Sequence, residues 1–326
     1  MNVLADRHHS GLFHSLQLMA RRFGWTLYTP IGMEWWDRDY WMFGRSTYRD
    51  DRLAQQFLVG VAGPDGLGAP PDGEFPDWPI PTATLDEARA MDWSYVIATV
   101  PDNEPGLARF ADEVGARLIV QVGNTGQYVN WARDPLVLSS SEMPILGRGI
   151  AYHQEMDPIA YRPPRRSCRC HKRTASFVNC MPHMGHCWDL LTEAQAAGLP
   201  IRVYGIDGPD GIVKPNSALV DLMASVGWGW HDKAHGDGFG HVIHSWAAVG
   251  RPLIGHASHY AGKMGGRFWR DGETCIDLDR HSVAETVAMV TAMPAAQHEA
   301  MCEAIRAEFE AIDFDAEAES IRGLLT

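Results

Sequence analysis

The sequence lacks any run of about 18 consecutive apolar residues, the length that a membrane-spanning helix needs. Asp6 interrupts the first apolar stretch, too early for the hydrophobic region of a secretory signal peptide. Repeats of a fixed short period and low-complexity tracts are also missing. These absences predict a globular protein of the cytoplasm that has no membrane partner.

Cysteine is scarce as well. Six cysteines in 326 residues do not form the dense pattern of a disulfide-stapled protein, so we expect free thiols. Hydrophobic residues make up 45% of the chain and charged residues 21%, which is enough apolar material for a sizeable core. The length predicts two domains.

Acidic residues are absent from one long segment. The net charge is −13, yet residues 158–188 contain no Asp or Glu and carry a charge of +6, which leaves −19 for the rest of the chain. A negative surface repels phosphate, whereas a basic segment attracts it. We therefore predict that anion binding, that of an acceptor or its phosphates included, is confined to one groove, along which this basic segment (residues 158–188) lies. Its cations are Arg162, Arg165, Arg166, Arg169, Lys172 and Arg173.

Segments with the periodicity of strands and of helices alternate in both halves of the chain. The alternation starts at residue 2, resumes near Tyr95, and starts again near Thr174. This order is typical of a parallel sheet with crossover helices, so we predict an α/β fold with two doubly wound domains. Residues 42–93 fit no element well, and residues 229–240 are predicted to be a Gly- and His-rich loop.

Three segments resemble one family. The segment DGFGHVIHSWAAVGRPLI at 237–254 resembles the donor-binding block of retaining GT-B glycosyltransferases, in which an acidic residue and GFG precede a helix. Residues 271–274 resemble the DGETG element downstream of that block, and residues 156–163 resemble the entry into the second domain. The resemblance implies the GT-B fold, with two Rossmann-like domains that face each other across a cleft.

The resemblance also implies a domain organisation. Residues 1–160 would form an N-terminal acceptor domain, and residues 161–305 a C-terminal nucleotide-sugar domain. Residues 306–326 would form a helical tail, for which packing back on the N-terminal domain is one option. In parallel sheets ligands bind beyond the carboxyl ends of the strands, so the cleft between the domains is the expected site.

The donor block also has a physical rationale of its own. Gly238 and Gly240 let a ligand approach the backbone, and the helix that follows presents N–H groups and a positive dipole end to a diphosphate. Asp237 is predicted to accept hydrogen bonds from sugar hydroxyls and to be catalytic. The alternative is a plain glycine-rich loop before a packing helix. The predicted donor-binding residues are Gly11, His183, Lys233, Gly238, Phe239, Gly240, His241, His244 and Ser245.

The chain departs from the family pattern at two places. Ser245, preceded by His244, stands where the family has an acidic residue that holds the ribose hydroxyls, so the resemblance does not specify the nucleotide. The family's Arg and Lys pair after the first strand of the second domain is replaced by His183 and His186. We expect Lys233 and the arginines of the basic segment to neutralise the diphosphate instead.

Polar residues follow two strands of the N-terminal half. Residues 8–11 come after the first strand, where GT-B enzymes carry a loop that faces the donor sugar and the acceptor. His9 is predicted to deprotonate the acceptor hydroxyl, the alternative being a ring that caps the next helix. Asp102 follows the strand near Tyr95 and is predicted to be a base or an electrostatic stabiliser of the transition state; a helix N-cap is an equal alternative.

Aromatic rings are concentrated in the segment YTPIGMEWWDRDYW at 28–41. It resembles the opening of glycosyltransferase-like proteins encoded by bacteriophages, which implies an acceptor in phage DNA and a location in the host cytoplasm. Such rings stack on a sugar or on an extruded base, although core packing is their more common role.

Cysteines and histidines of the basic segment offer a zinc site as an alternative. Their spacing matches no standard zinc motif, and phosphate attraction explains the basic residues without an ion. We therefore predict no metal ligands and no obligatory metal cofactor. The residues that this alternative would use are Cys168, Cys170, His171, Cys180, His183, His186 and Cys187.

These features predict a glycosyltransferase that moves a hexose from a nucleotide sugar of the UDP-glucose type to an acceptor hydroxyl. The resemblance implies retention of the anomeric configuration. The first expectation for the acceptor is 5-hydroxymethylcytosine in DNA, flipped out of the helix. The alternatives are a glycan, lipid or small-molecule acceptor, and a catalytically inactive nucleotide-sugar-binding protein, which the Ser245 departure motivates.

Overall fold

The computed structural model describes residues 1–6, 10–30, 35, 81–124, 126–157, 161, 171–179, 181–205, 207–213 and 216–326. The chain divides into two units. Unit 1 consists of Met1–Met156 and Phe314–Thr326, and unit 2 consists of Asp157–Asp313.

Unit 1 is built on a parallel sheet that has seven strands among the described residues. The strand order is β3-β2-β1-β4-β5-β6-β7, and every neighbouring pair is parallel. The strands are β1 (Asn2–Ala5), β2 (Thr26–Pro30), β3 (Thr82–Ala83), β4 (Tyr95–Ala98), β5 (Arg117–Val122), β6 (Leu136–Ser139) and β7 (Gly149–Ala151). The helices are α1 (Ser10–Phe23), α2 (Leu85–Arg89), α3 (Glu104–Val114) and, at the far end of the chain, α9 (Phe314–Leu325).

Alternate residues of the central strands enter two separate cores. In β4, Val96 packs in the core that contains Phe110 of α3, whereas its neighbour Ile97 packs in the core that contains Phe13 of α1 and Ile321 of α9. Both faces of the sheet are therefore covered by helices, which explains why the central strands are mostly apolar rather than alternating.

The last helix, α9, is tied to the sheet of unit 1 by hydrogen bonds as well as by packing. The Tyr95 hydroxyl and the Arg117 guanidinium both donate to the Leu325 carbonyl at 2.7 Å. The backbone N–H of His153 donates to Glu317 at 2.8 Å. The predicted tail began at residue 306, whereas the structure assigns residues 306–313 to unit 2 and the rest to unit 1.

Unit 2 is built on a second parallel sheet, in the order β12-β11-β10-β8-β9. Its described strands are β8 (Thr174–Phe177), β9 (Ile201–Tyr204), β10 (Trp228–Trp230), β11 (Leu253–Gly255) and β12 (Cys275–Asp277). Its described helices are α4 (Cys187–Ala196), α5 (Asn216–Ser225), α6 (His241–Ala248), α7 (Val283–Ala292) and α8 (Ala295–Glu310).

The middle strand of unit 2 corrects the sequence prediction. Residues 229 and 230 were expected in a loop, but they belong to β10, whose rings Trp228 and Trp230 are fully buried. A strand of three residues has no run long enough to show a period, so the pattern did not reveal it. The short elements β3, α2 and β7 were missed for the same reason.

The predicted α/β class, with two doubly wound parallel sheets, is confirmed. Among the described helices, none combines the length and the apolar character that crossing a membrane requires.

Candidate functional site

Asp237 lies between a histidine and a lysine beyond the carboxyl end of β10. Nε2 of His231 lies 2.6 Å from one carboxylate oxygen, and Nζ of Lys233 lies 2.5 Å from the other. Burial alone would raise the pKa of Asp237, but Lys233 and His231 outweigh it and hold that pKa well below its usual range. Asp237 is therefore a fixed carboxylate, and 16% of its side chain is exposed to solvent.

A glycine-capped helix begins directly after Asp237. Gly240 is the N-cap of α6 and has a φ of 73°. As a glycine it has no side chain with which to cap the helix by a hydrogen bond. This left-handed conformation favours glycine, and it turns the chain sharply from the loop into the helix. The first-turn N–H groups of such a helix attract anions.

The first turn of α6 is held together from inside unit 2. The His244 ring stacks on Phe239 with ring centroids 3.9 Å apart, and its Nδ1 donates to the Gly240 carbonyl at 3.0 Å. The Ser245 hydroxyl donates to the His241 carbonyl at 2.8 Å, and the His241 ring meets Phe239 edge to face. Because His244 and Ser245 are almost fully buried, their visible role is to shape the turn. That these two residues contact the nucleotide-sugar donor remains a prediction.

A second polar cluster lies at the same end of the sheet. The buried Asp232 carboxylate is 2.7 Å from Nδ1 of His256 and 3.0 Å from Nδ1 of His259, and the Cys187 sulfur lies within 4.8 Å of it. Burial raises the pKa of Cys187 to about 12, helped by Asp232. The hydrogen bond to Asp232 raises the pKa of His256. Of these four residues, sequence analysis had singled out only Cys187.

Other predicted residues of unit 2 lie at different places. His183 is exposed in the turn Met181–His183, where its carbonyl accepts the Ala234 N–H at 3.3 Å. Lys172 and Arg173 are exposed before the amino end of β8. Since all strands of this sheet are parallel, those two cations lie at the opposite edge from Asp237 and α6. The structure does not bring them to the predicted donor site.

The zinc site that the basic segment offered as an alternative cannot use His171 and Cys187 together. His171 lies before β8, 6.0 Å from the His298 ring, whereas Cys187 lies beyond the carboxyl end of that strand. A strand of four residues is about 13 Å long, so one ion does not reach both side chains.

Several predicted residues lie outside the described part of the chain. Asp102 lies in the 3₁₀ turn Pro101–Asn103, and only its backbone is described; Gly11 is the second residue of α1. Most of the aromatic segment 28–41 is likewise outside. The remaining such residues are His9, Arg162, Arg165, Arg166, Cys168, Arg169, Cys170 and Cys180.

In unit 1 a buried carboxylate lies just beyond β1. Asp6 accepts hydrogen bonds from the Thr99 backbone N–H at 2.6 Å, from the Thr99 hydroxyl at 2.8 Å, and from the Asn103 amide. Burial nevertheless raises the pKa of Asp6 to about 6. Sequence analysis did not select Asp6, although an acidic residue directly after an apolar strand is a signal that could have identified it.

We expect the charge of Asp6 to lower the stability of the protein at neutral pH. The folded-state pKa of about 6 exceeds the ordinary value of 3.8, so the folded form holds the proton more tightly. The free energy of unfolding should fall by about 2 kcal/mol as the pH rises from 4 to 7, mostly below pH 6. Urea unfolding at pH 4.5 and pH 7 measures this slope, which should largely disappear in Asp6→Asn.

A matched control for this experiment is Asp112→Asn. Asp112 is an exposed carboxylate paired with Arg133 at 3.2 Å, so its removal should leave the slope intact. The same slope in Asp6→Asn as in the unaltered protein would show that Asp6 does not titrate in this range.

The comparisons with known proteins rest on structure. No family model matches the chain, and no curated protein matches it. The Anabaena protein Alr3699/HepE, solved with UDP and glucose, aligns with a TM-score of 0.62 at 10% identity, over 100% of this chain and 99% of that chain. A UDP-forming α,α-trehalose-phosphate synthase from Burkholderia xenovorans aligns at 0.58 and 10% identity, over 99% and 98%. A glycosyltransferase from Rickettsia africae aligns at 0.59 and 8% identity, over 99% and 97%.

The comparisons give no support to the resemblance between residues 28–41 and bacteriophage proteins. Sequence identities of this size establish the fold alone, and the alignments extend over both parallel-sheet units of the chain. The chain has the GT-B fold.

Proposed function

We propose that this protein is a glycosyltransferase that moves a hexose from a nucleotide sugar, of the UDP-glucose type, to an acceptor hydroxyl. The observation that carries the proposal is Asp237, held as a carboxylate by His231 and Lys233 immediately before the glycine-capped start of α6. The relatives support the donor: HepE was solved with UDP-glucose and with UDP, and the Burkholderia synthase is named as UDP-forming.

The donor diphosphate would bind at the first turn of α6, with Lys233 beside it. Asp237 would accept hydrogen bonds from the sugar hydroxyls, because an ionised carboxylate only accepts. His231 is 2% exposed and fixes the orientation of that carboxylate. Catalysis would then rest on placing the two substrates and on stabilising the leaving diphosphate, with no catalytic metal ion required.

The donor is tested by incubating the full chain with UDP-, ADP- and GDP-hexoses and measuring the nucleotide that is released. We expect UDP to be released from UDP-glucose, slowly to water and faster once an acceptor is present. Slow hydrolysis alone already argues against a catalytically inactive binding protein. A folded protein that neither binds nor cleaves any of these donors would overturn the proposal.

Retention of the anomeric configuration is the second part of the proposal, supported by the resemblance of residues 237–254 to the retaining branch. The test uses an α-linked donor and measures, by proton NMR, the coupling constant of the anomeric proton in the first product formed. An α-linked product supports retention, and a β-linked product shows inversion.

For the acceptor we propose a sugar or sugar phosphate ahead of hydroxymethylated DNA. The trehalose-phosphate synthase among the structural relatives favours a sugar acceptor. The DNA acceptor rests on the basic segment, of which Lys172 and Arg173 lie at the amino end of β8.

Parallel reactions with labelled UDP-glucose, one with hexose phosphates and one with 5-hydroxymethylcytosine DNA, distinguish the two acceptors. If the DNA becomes labelled, and the yield of label falls steeply between low and moderate salt, DNA would be favoured over the sugar acceptor. Binding to DNA phosphates releases counterions, so it weakens as salt rises.

A further inference from the structure

Four metal-binding side chains converge at the carboxyl ends of the strands of unit 2, and we propose that they form a structural zinc site. The zinc cluster consists of Cys187, Asp232, His256 and His259. One candidate ligand atom on each side chain lies within 4.8 Å of all the others. The inference goes beyond the proposed function and does not depend on it.

The cluster draws on three separate segments. Cys187 is the first residue of α4, Asp232 lies two positions after β10, and His256 directly follows β11, with His259 in the next turn. Strand β10 lies between β8 and β11, so the segments that follow these three strands meet at one edge of the sheet. The fold therefore brings together residues that are far apart in the sequence.

The polar atoms of the cluster point at one another. Asp232 has a side chain with no solvent exposure, and both imidazoles turn Nδ1 towards its two oxygens, at 2.7 Å and 3.0 Å. The two rings are only 4.7 Å apart between centroids. Cys187 is fully buried, and its sulfur lies within 4.8 Å of the same carboxylate. A thiol, a carboxylate and two imidazoles in one buried place are the ligand types of a zinc site.

The dimensions fit an ion with a small adjustment. Tetrahedral zinc, with bonds of about 2.0 to 2.3 Å, places its ligand atoms about 3.3 to 3.7 Å apart. No separation exceeds 4.8 Å, so the longest shortens by at most about 1 Å and the 2.7 Å and 3.0 Å separations lengthen by about 0.5 Å, within the reach of small side-chain rotations. The thiolate and imidazoles favour zinc over magnesium or calcium, which prefer oxygen ligands. Four protein ligands leave no open position, which makes the site structural.

A fifth side chain covers the cluster. The His186 ring meets the His256 and His259 rings edge to face, with centroids 5.9 Å and 6.1 Å away, and its Nε2 lies 3.8 Å from the Cys187 sulfur. His256 and His259 keep 15% and 17% of their side chains exposed, so an ion can enter from their side.

A bound zinc ion would anchor the loop between β10 and α6, residues 231–240. Asp232 lies in the chain between His231 and Lys233, the two partners of Asp237. Fixing Asp232 to α4 and to the segment after β11 therefore also fixes the position of the Asp237 carboxylate. The competing possibility is a hydrogen-bonded cluster without an ion, in which Asp232 accepts from both rings and from the thiol.

The first test is the zinc content of the full chain, purified without a histidine tag and measured by mass spectrometry of the elements. We expect about one zinc per chain. Cys187→Ser and His259→Gln should each lower the zinc affinity at least about tenfold. Cys302→Ser is the matched control, because Cys302 also lies beside a histidine, 3.7 Å from Nδ1 of His298, and should leave the zinc content unchanged.

The second test uses the wild-type protein, so it does not depend on whether each variant folds. Wild-type protein stripped with a chelator should take up cobalt with a thiolate charge-transfer band, and its melting temperature should rise when zinc is restored. His259→Gln keeps every cysteine and should lose tetrahedral cobalt absorption.

Two results would overturn the site. One is a folded wild-type protein that neither contains nor takes up zinc or cobalt, which would leave a hydrogen-bonded cluster. The other is metal that persists undiminished in Cys187→Ser or His259→Gln, which would mean that the ion is bound elsewhere.

Discussion

Replacing Asp237 by asparagine is expected to lower the rate of hexose transfer by about 10²- to 10³-fold, because it removes the carboxylate that we propose accepts hydrogen bonds from the sugar. The side chain keeps its size, so the loop should stay in place. Lys233 and His231 lose their counter-charge, which should cost some stability without unfolding unit 2. Steady-state kinetics with UDP-glucose, together with near-ultraviolet circular dichroism, measure both effects.

The matched control for Asp237 is Asp210→Asn. Asp210 also pairs with a cation, Arg202 at 2.6 Å, and accepts the Val203 N–H, but it lies by β9, at the edge of the same sheet. Its replacement should lower stability and spare transfer. Full activity in Asp237→Asn would show that the donor block has been misinterpreted.

Gly236→Ala is expected to be the most damaging single methyl addition near the site. Gly236 has a φ of 64°, and a Cβ there would lie 2.2 Å from the His259 carbonyl oxygen and 2.7 Å from Nζ of Lys263. A backbone atom cannot move aside cheaply, so residues 233–237 would be pushed away from His259. We expect a loss of about 3 kcal/mol in the free energy of unfolding and, since Asp237 shifts, about 10²-fold in transfer.

Gly262→Ala separates the two causes of that loss. Gly262 has a similar φ of 74°, but nothing lies within 4 Å of the position of its Cβ. Gly262→Ala should lower the free energy of unfolding by only about 1 kcal/mol, the strain of alanine in the left-handed conformation, and should retain activity. Equal losses in the two variants, measured by urea unfolding, would mean that the contact with His259 is unimportant.

The fold could be predicted because its signals are local. Buried parallel strands such as Tyr95–Ala98 are continuous apolar runs, and helices such as Glu104–Val114 show the helical period, so their alternation specifies the class. Trp228–Trp230 shows the limit of this reasoning. Only its neighbours in the sheet identify such a short strand.

The candidate site could be predicted only where its residues are consecutive. The segment from Asp237 to Gly240 signalled a loop before a helix, and α6 begins at His241 as expected. Asp232 and His256 belong to one cluster only because β10 and β11 are neighbouring strands. The local sequence does not predict which strands are neighbours in a sheet. For the same reason the sequence grouped Cys187 with His171, which the structure places at the other end of β8.

The position of α9 has a consequence for how the protein is made. Its residues Phe314–Leu325 belong to unit 1, yet they follow all of unit 2 in the chain. During synthesis, the ribosome releases Asp157–Asp313 before the helix that covers Ile97 and Tyr95 exists. Unit 2 can therefore finish folding first, while part of one apolar face of the earlier-made sheet is still uncovered and prone to aggregation or chaperone binding. The half of the chain that is translated first is the half that matures last.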